Sequence, residues 1–122
     1  MIEITLPWPP SVNTYWRTFR GRMIISAKGR EYREAVGRLL VNSNIDPCLG
    51  KVKVDIVAYR PDNRRRDLDN LLKAPLDALT HAKVWEDDSL ISDLRIRWAD
   101  GIGGMLKVTI EKLGESNDQK DN

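Results

Sequence analysis

The chain has 122 residues, 41% of them hydrophobic, enough for one domain with a core and too few for two. Its one cysteine, Cys48, excludes an intrachain disulfide and any cysteine-based zinc site, and its one histidine, His81, argues against a Ser-His triad or a zinc hydrolase. The formal charge of +2 understates the basic character: Glu115 to Asn122 hold three acids and one lysine, so the rest of the chain carries 19 basic against 15 acidic side chains.

Ile2, Ile4 and Leu6 alternate with polar residues and predict a first strand, which Pro7, Pro9 and Pro10 end in a stiff loop through Trp8 and Asn13. Two short extended runs between Tyr15 and Ser26 flank Arg20-Gly21-Arg22 and predict a hairpin with glycine at its turn. Ser26 is the expected N-cap of an amphipathic helix over 27–42, with Tyr32, Ala35, Val36, Leu39 and Leu40 inward and Arg30, Arg33 and Arg38 outward. Val52, Val54, Ile56 and Ala58 mark the clearest strand, which runs into Pro61. Leu68, Leu71, Leu72, Leu76 and Leu79 follow helical spacing, and Pro75 is expected to kink that helix or displace its start. The runs Leu94-Ile96-Trp98 and Leu106-Val108-Ile110 flank Gly101 to Gly104 and read as a second hairpin. The order predicts an α+β fold, a mainly antiparallel or mixed sheet with two principal helices on one face. Residues 1–113 are expected to form one domain and 114–122 a polar, disordered tail. No stretch approaches the ~20 apolar residues that span a bilayer, and the opening reads as a strand rather than a signal peptide. The expectation is a soluble, cytoplasmic protein that contacts no membrane.

The chemistry concentrates in Arg64-Arg65-Arg66-Asp67-Leu68-Asp69-Asn70. Two carboxylates two residues apart raise each other's ionisation cost unless a cation shares them, and arginines beside them suit a phosphate backbone. The bland alternative is an acidic helix N-terminus behind a solvated basic loop. Asp87-Asp88 precedes the strand at 91–98 and supplies a third carboxylate if that strand lies beside the one at 51–60. Aspartate oxygens without a His or Cys cluster match Mg²⁺ or, as a substitute, Mn²⁺. Lys73, one turn after Asp69, either forms an exposed ion pair with it or offsets charge on a scissile phosphate. Seven basic residues from Arg17 to Arg38, with Tyr15, Trp16 and Phe19 at the start, suit a nucleic-acid surface, although such rings are more often core.

These segments in this order resemble the RusA-type Holliday-junction resolvases, small homodimeric endodeoxyribonucleases dependent on a divalent metal. The resemblance rests on Leu6-Pro7-Trp8-Pro9-Pro10-Ser11 with Asn13, Arg20-Gly21-Arg22 with Ser26-Ala27, Arg65 through Leu71 with Lys73, Asp77-Ala78-Leu79, and Trp85 through Asp88. It implies that Asp67, Asp69 and Asp88 are catalytic metal ligands, with Asp87 an adjacent candidate, and that Lys73 serves cleavage. Arg64, Arg65, Arg66, Arg17, Arg20, Arg22, Asn13 and Asn70 are the candidate DNA contacts. Lys83 stands where the family often has glycine, and Trp98 where a lysine is frequent. The implied activity is paired symmetric nicking of four-way DNA junctions in recombination and repair, inside a bacterium or a phage-infected host. The alternatives are a non-catalytic structure-selective DNA-binding module and a related nuclease preferring forks or flaps.

Overall fold

The structure is a computed structural model that describes residues 1–113; the tail expected over 114–122 lies outside the described residues. A four-stranded mixed sheet carries two principal helices on one face, together with a separate two-stranded hairpin. The sheet is built from β1 (Ile2–Pro7), β4 (Val52–Arg60), β5 (Ile91–Ile102) and β6 (Met105–Lys112), in the spatial order β1-β6-β4-β5. The hairpin strands are β2 (Trp16–Phe19) and β3 (Arg22–Ile25). The helices are α1 (Val12–Tyr15), α2 (Ala27–Leu40) and α3 (Lys73–His81).

Strand alternation sends one side of the sheet toward α2 and α3. Ile4, Val108, Ile56 and Ile96 form one row of that face, and Leu6, Leu106, Ala58 and Trp98 the next. Tyr32 and Val36 from α2 and Ala74, Ala78 and Leu79 from α3 close the core over these rows. On the face turned away from the helices, Asp55 lies between Arg95 and Thr109 in register, and its Oδ1 is buried without a hydrogen-bond partner.

Several expectations are met in detail. Ser26 caps α2, its Oγ accepting from the Gly29 amide at 3.0 Å. Pro75 displaces the start of its helix: residues Leu68–Leu71 form a 3-10 turn, and α3 begins only at Lys73, so the proline occupies the first turn, where a missing amide breaks no bond. The strand at 91–102 does lie beside the one at 52–60, paired in parallel.

Three expectations are corrected. The loop through Asn13 contains the short helix α1, whose turn closes by bonds from the Thr14 and Tyr15 amides to the Ser11 carbonyl. Arg33 does not face outward but pairs with Asp77 on α3 at 2.8 Å. Residues 91–112 are not a hairpin, because β4 is inserted between β5 and β6. Gly101 and Gly104, at φ +95° and +70°, turn the chain across the end of β4, where the Gly103 and Gly104 amides donate to the Arg60 and Tyr59 carbonyls at 2.8 and 2.9 Å.

Candidate active site

β1 and β4 both pair antiparallel to β6, so they finish at the same edge of the molecule. Their exits, Trp8-Pro9-Pro10-Ser11 and Pro61 onward, wall a cleft of about 710 Å³, further lined by Lys28, Asp62, Arg64, Arg65, Arg66, Asp67 and Asn70. The cleft is a basic mouth with two carboxylates, Asp62 and Asp67, in its lining.

Asp62 organises the arginines. Its carboxylate accepts from the Arg64 amide at 2.9 Å and pairs with Arg66 Nη1 at 2.8 Å and Arg64 Nε at 3.5 Å. The Arg66 hydrogen bond, followed by that from the Arg64 backbone, draws its pKa down to about 2. Arg66 also lies 5.6 Å from the centre of the Trp8 ring, Trp8 stacks on Trp98 at 6.4 Å, and Arg60 covers Trp98 at 4.3 Å. In that column Trp98 backs Trp8, the ring that meets Arg66 in the cleft, and carries Arg60 outside the cleft lining.

Asp67 is exposed, in extended backbone at the N-cap position of the 3-10 turn, and makes no side-chain cap bond. The bland reading of the acids as helix caps therefore fails at this residue. Asp69 is exposed in the same turn, outside the cleft lining. Asp87 is spent on the turn Asp88–Leu90, accepting from the Ser89 amide and hydroxyl, the latter bond being the main cause of its lowered pKa. Asp88 is exposed just before β5. Parallel pairing sets that point beside the beginning of β4, whereas Asp67 and Asp69 follow its end. Among the described residues no three His, Cys, Asp or Glu side chains gather into a metal-holding group. Asp67, Asp69 and Asp88 are thus not assembled into one site within the described residues.

Lys73 forms no ion pair with Asp69 among the described residues; its ammonium sits 5.4 Å from the centre of the Trp16 ring. A closed circuit holds it there. Trp16 packs edge-on against Tyr15 at 5.2 Å, the Tyr15 hydroxyl donates to Asp77, and Asp77 lies one turn beyond Lys73 on α3. Burial alone would raise the Asp77 pKa, but hydrogen bonds from Arg33 and Tyr15 outweigh it and hold the carboxyl below its usual range. Burial, and then the bond to Asp77, push the Tyr15 hydroxyl well above the ordinary phenol range.

The remaining candidates fall in two places. Arg17, Arg20 and Arg22 are exposed on the hairpin, away from the cleft lining, and Asn13 is exposed on α1. Lys28, Trp8 and Asp62 are cleft residues that the sequence reading did not single out as functional. For Lys28 and Trp8 the signal was present, in the basic segment and in the Leu6 to Ser11 motif.

Comparison with known proteins decides the lineage. A model of the family described as Endodeoxyribonuclease RusA matches residues 7–111. The chain belongs to the RusA family. RusA relatives named Crossover junction endodeoxyribonuclease include one from Escherichia coli O139:H28, 49% identical over 115 residues, covering 93% of this chain and 96% of the relative. One from Shigella sonnei and one from Enterobacteria phage 82 are each 50% identical over 114 residues, covering 92% of this chain and 95% of the relative. RusA membership accords with the mixed α+β sheet and its two principal helices.

Proposed function

We propose that this chain is an endodeoxyribonuclease that resolves four-way DNA junctions by paired symmetric nicks, acting in recombination and repair within a bacterial cytoplasm. The observation that carries the reading is near-complete alignment at about half identity with relatives named for that activity, whose sources are bacteria and a phage. The cleft supports it: Arg64, Arg65 and Lys28 offer charge-assisted bonds to a phosphate backbone, and Asn70 adds an amide donor. Residues 1–113 would act as one nuclease domain, with no membrane partner; none of the described helices is long and apolar enough to cross a bilayer.

Hydrolysis of a phosphodiester adds negative charge to the phosphorus oxygens in the transition state, and the group we assign to offset it is the Lys73 ammonium. Its ammonium lies 5.4 Å from the centre of the Trp16 ring, a weak contact that leaves it free to turn to phosphate. The proposed cofactor is Mg²⁺, with Mn²⁺ as a substitute, because Asp67, Asp69 and Asp88 are exposed hard-oxygen donors. One chain does not bring Asp88 to the other two. Asp88 joins them only by rearrangement or from a second copy, and the homodimer that two symmetric nicks call for supplies that copy.

The test is cleavage of end-labelled four-way junction, fork and plain duplex by wild type and Asp69→Asn, in Mg²⁺ and in EDTA. Nicks confined to the junction, absent in EDTA and in the variant, are expected. Junction binding without a nick under any metal would leave the non-catalytic module, and preferential cutting of the fork would leave the fork nuclease.

A further inference from the structure

Of the three aromatic rings at the start of the basic segment, the fold buries Tyr15, half-buries Trp16 over Lys73, and leaves Phe19 47% exposed. A lone exposed ring is ordinary; the surroundings of this one are not. Phe19 ends β2 beside a two-residue turn, Arg20-Gly21, whose φ angles of 51° and 75° are those of a tight hairpin tip. Arg17 and Arg20 lie 5.3 and 5.2 Å from the ring centre, and Arg22 is its partner across the hairpin. From Ile4 to Arg30 the chain has five basic residues and no acid. The hairpin shares no strand pairing with the main sheet and is pinned at its base, where the Ser26 amide donates to the Tyr15 carbonyl at 2.9 Å.

We propose that Phe19 is a stacking residue that receives a base left unpaired at the branch point of DNA, while Arg17, Arg20 and Arg22 hold the adjoining phosphates. This inference rests on the junction-resolving reading and names the subsite by which a branch is told from a duplex. An exposed guanidinium on a ring is a weak contact and a base on a ring a stronger one, so the arginines turn to phosphate and the ring takes the base. Fully paired duplex has no free base to offer. Three residues of strand, about 10 Å, separate Phe19 from Trp16, and the alternation of the strand turns the two rings to opposite faces of the hairpin.

The test is binding in EDTA, without cleavage, of a four-way junction carrying 2-aminopurine at the branch and of its plain duplex arm. Wild type, Phe19→Ala, Phe19→Leu and Phe19→Trp are compared. Alanine and leucine are expected to weaken junction binding about tenfold, within the range for loss of one aromatic–base stack, to leave duplex binding within twofold, and to abolish the 2-aminopurine fluorescence change. Tryptophan restores all three, and unchanged melting temperatures are expected because the ring is exposed. Junction binding by Phe19→Ala within twofold of wild type, equal loss on duplex, or full function with leucine would each overturn the inference. Cleavage in Mg²⁺ separates the two readings. A wild type that nicks junctions while Phe19→Ala binds normally removes only the stacking role; a wild type that neither prefers nor nicks junctions removes the resolvase reading as well.

Discussion

At the scale of single residues, Asp62 divides the arginine run. Arg66, with its side chain 18% exposed, is committed to Asp62 and Trp8, whereas Arg64, 81% exposed, keeps only a long contact worth little in water. Arg65 is exposed and has no ion pair among the described residues. Arg65→Ala is therefore expected to weaken binding about equally on all DNA sequences and to lower the slope of log K against log salt by about 0.9, the signature of one lost phosphate contact. Arg66→Ala should in addition lower the melting temperature, since it strips Asp62 of its closest partner. Equal melting temperatures for the two variants would contradict this division. The sequence announced the charge of the run but not the division, because Asp62's role depends on the chain doubling back within four residues.

Among elements, the end of α3 carries a strained residue, Lys83. Lys83 has φ +66°, in the left-handed region, where its own amide closes the turn onto the Thr80 carbonyl at 3.0 Å. Glycine would sit there without cost. Lys83→Gly is expected to stabilise the fold by about 0.5–1 kcal/mol, the relief of strain being partly offset by the looser unfolded chain. A lower melting temperature than wild type would sink that reading. Helix α2, its Ser26 cap and strand β4 were legible because each is set by local periodicity and capping chemistry. The order β5-β4-β6 was not: a glycine-rich turn between two alternating runs looks the same whether the strands pair or straddle a third. Gly29 shows a related limit. A Cβ there would stand 2.7 Å from the Tyr15 carbonyl, so its need for glycine lies in how closely α2 approaches the end of α1, which periodicity does not report.

Over the whole molecule, the cleft at the exits of β1 and β4 and the arm of β2–β3 are two basic features, and Tyr15, Trp16 and Lys73 form a cluster at the base of the arm. That Asp67 and the arginines of the run would share one cleft was legible, since they adjoin in sequence. That Asp88 stands apart from Asp67 and Asp69 was not, because it follows from the parallel direction of β5. The most direct measurement uses a supercoiled plasmid that extrudes a cruciform, incubated with the protein in Mg²⁺. Wild type should convert it to linear product by two nicks across the junction, and Asp69→Asn should leave it supercoiled. Nicked circles without linear product, or linear product from Asp69→Asn, would contradict a paired-nick resolvase built on these carboxylates.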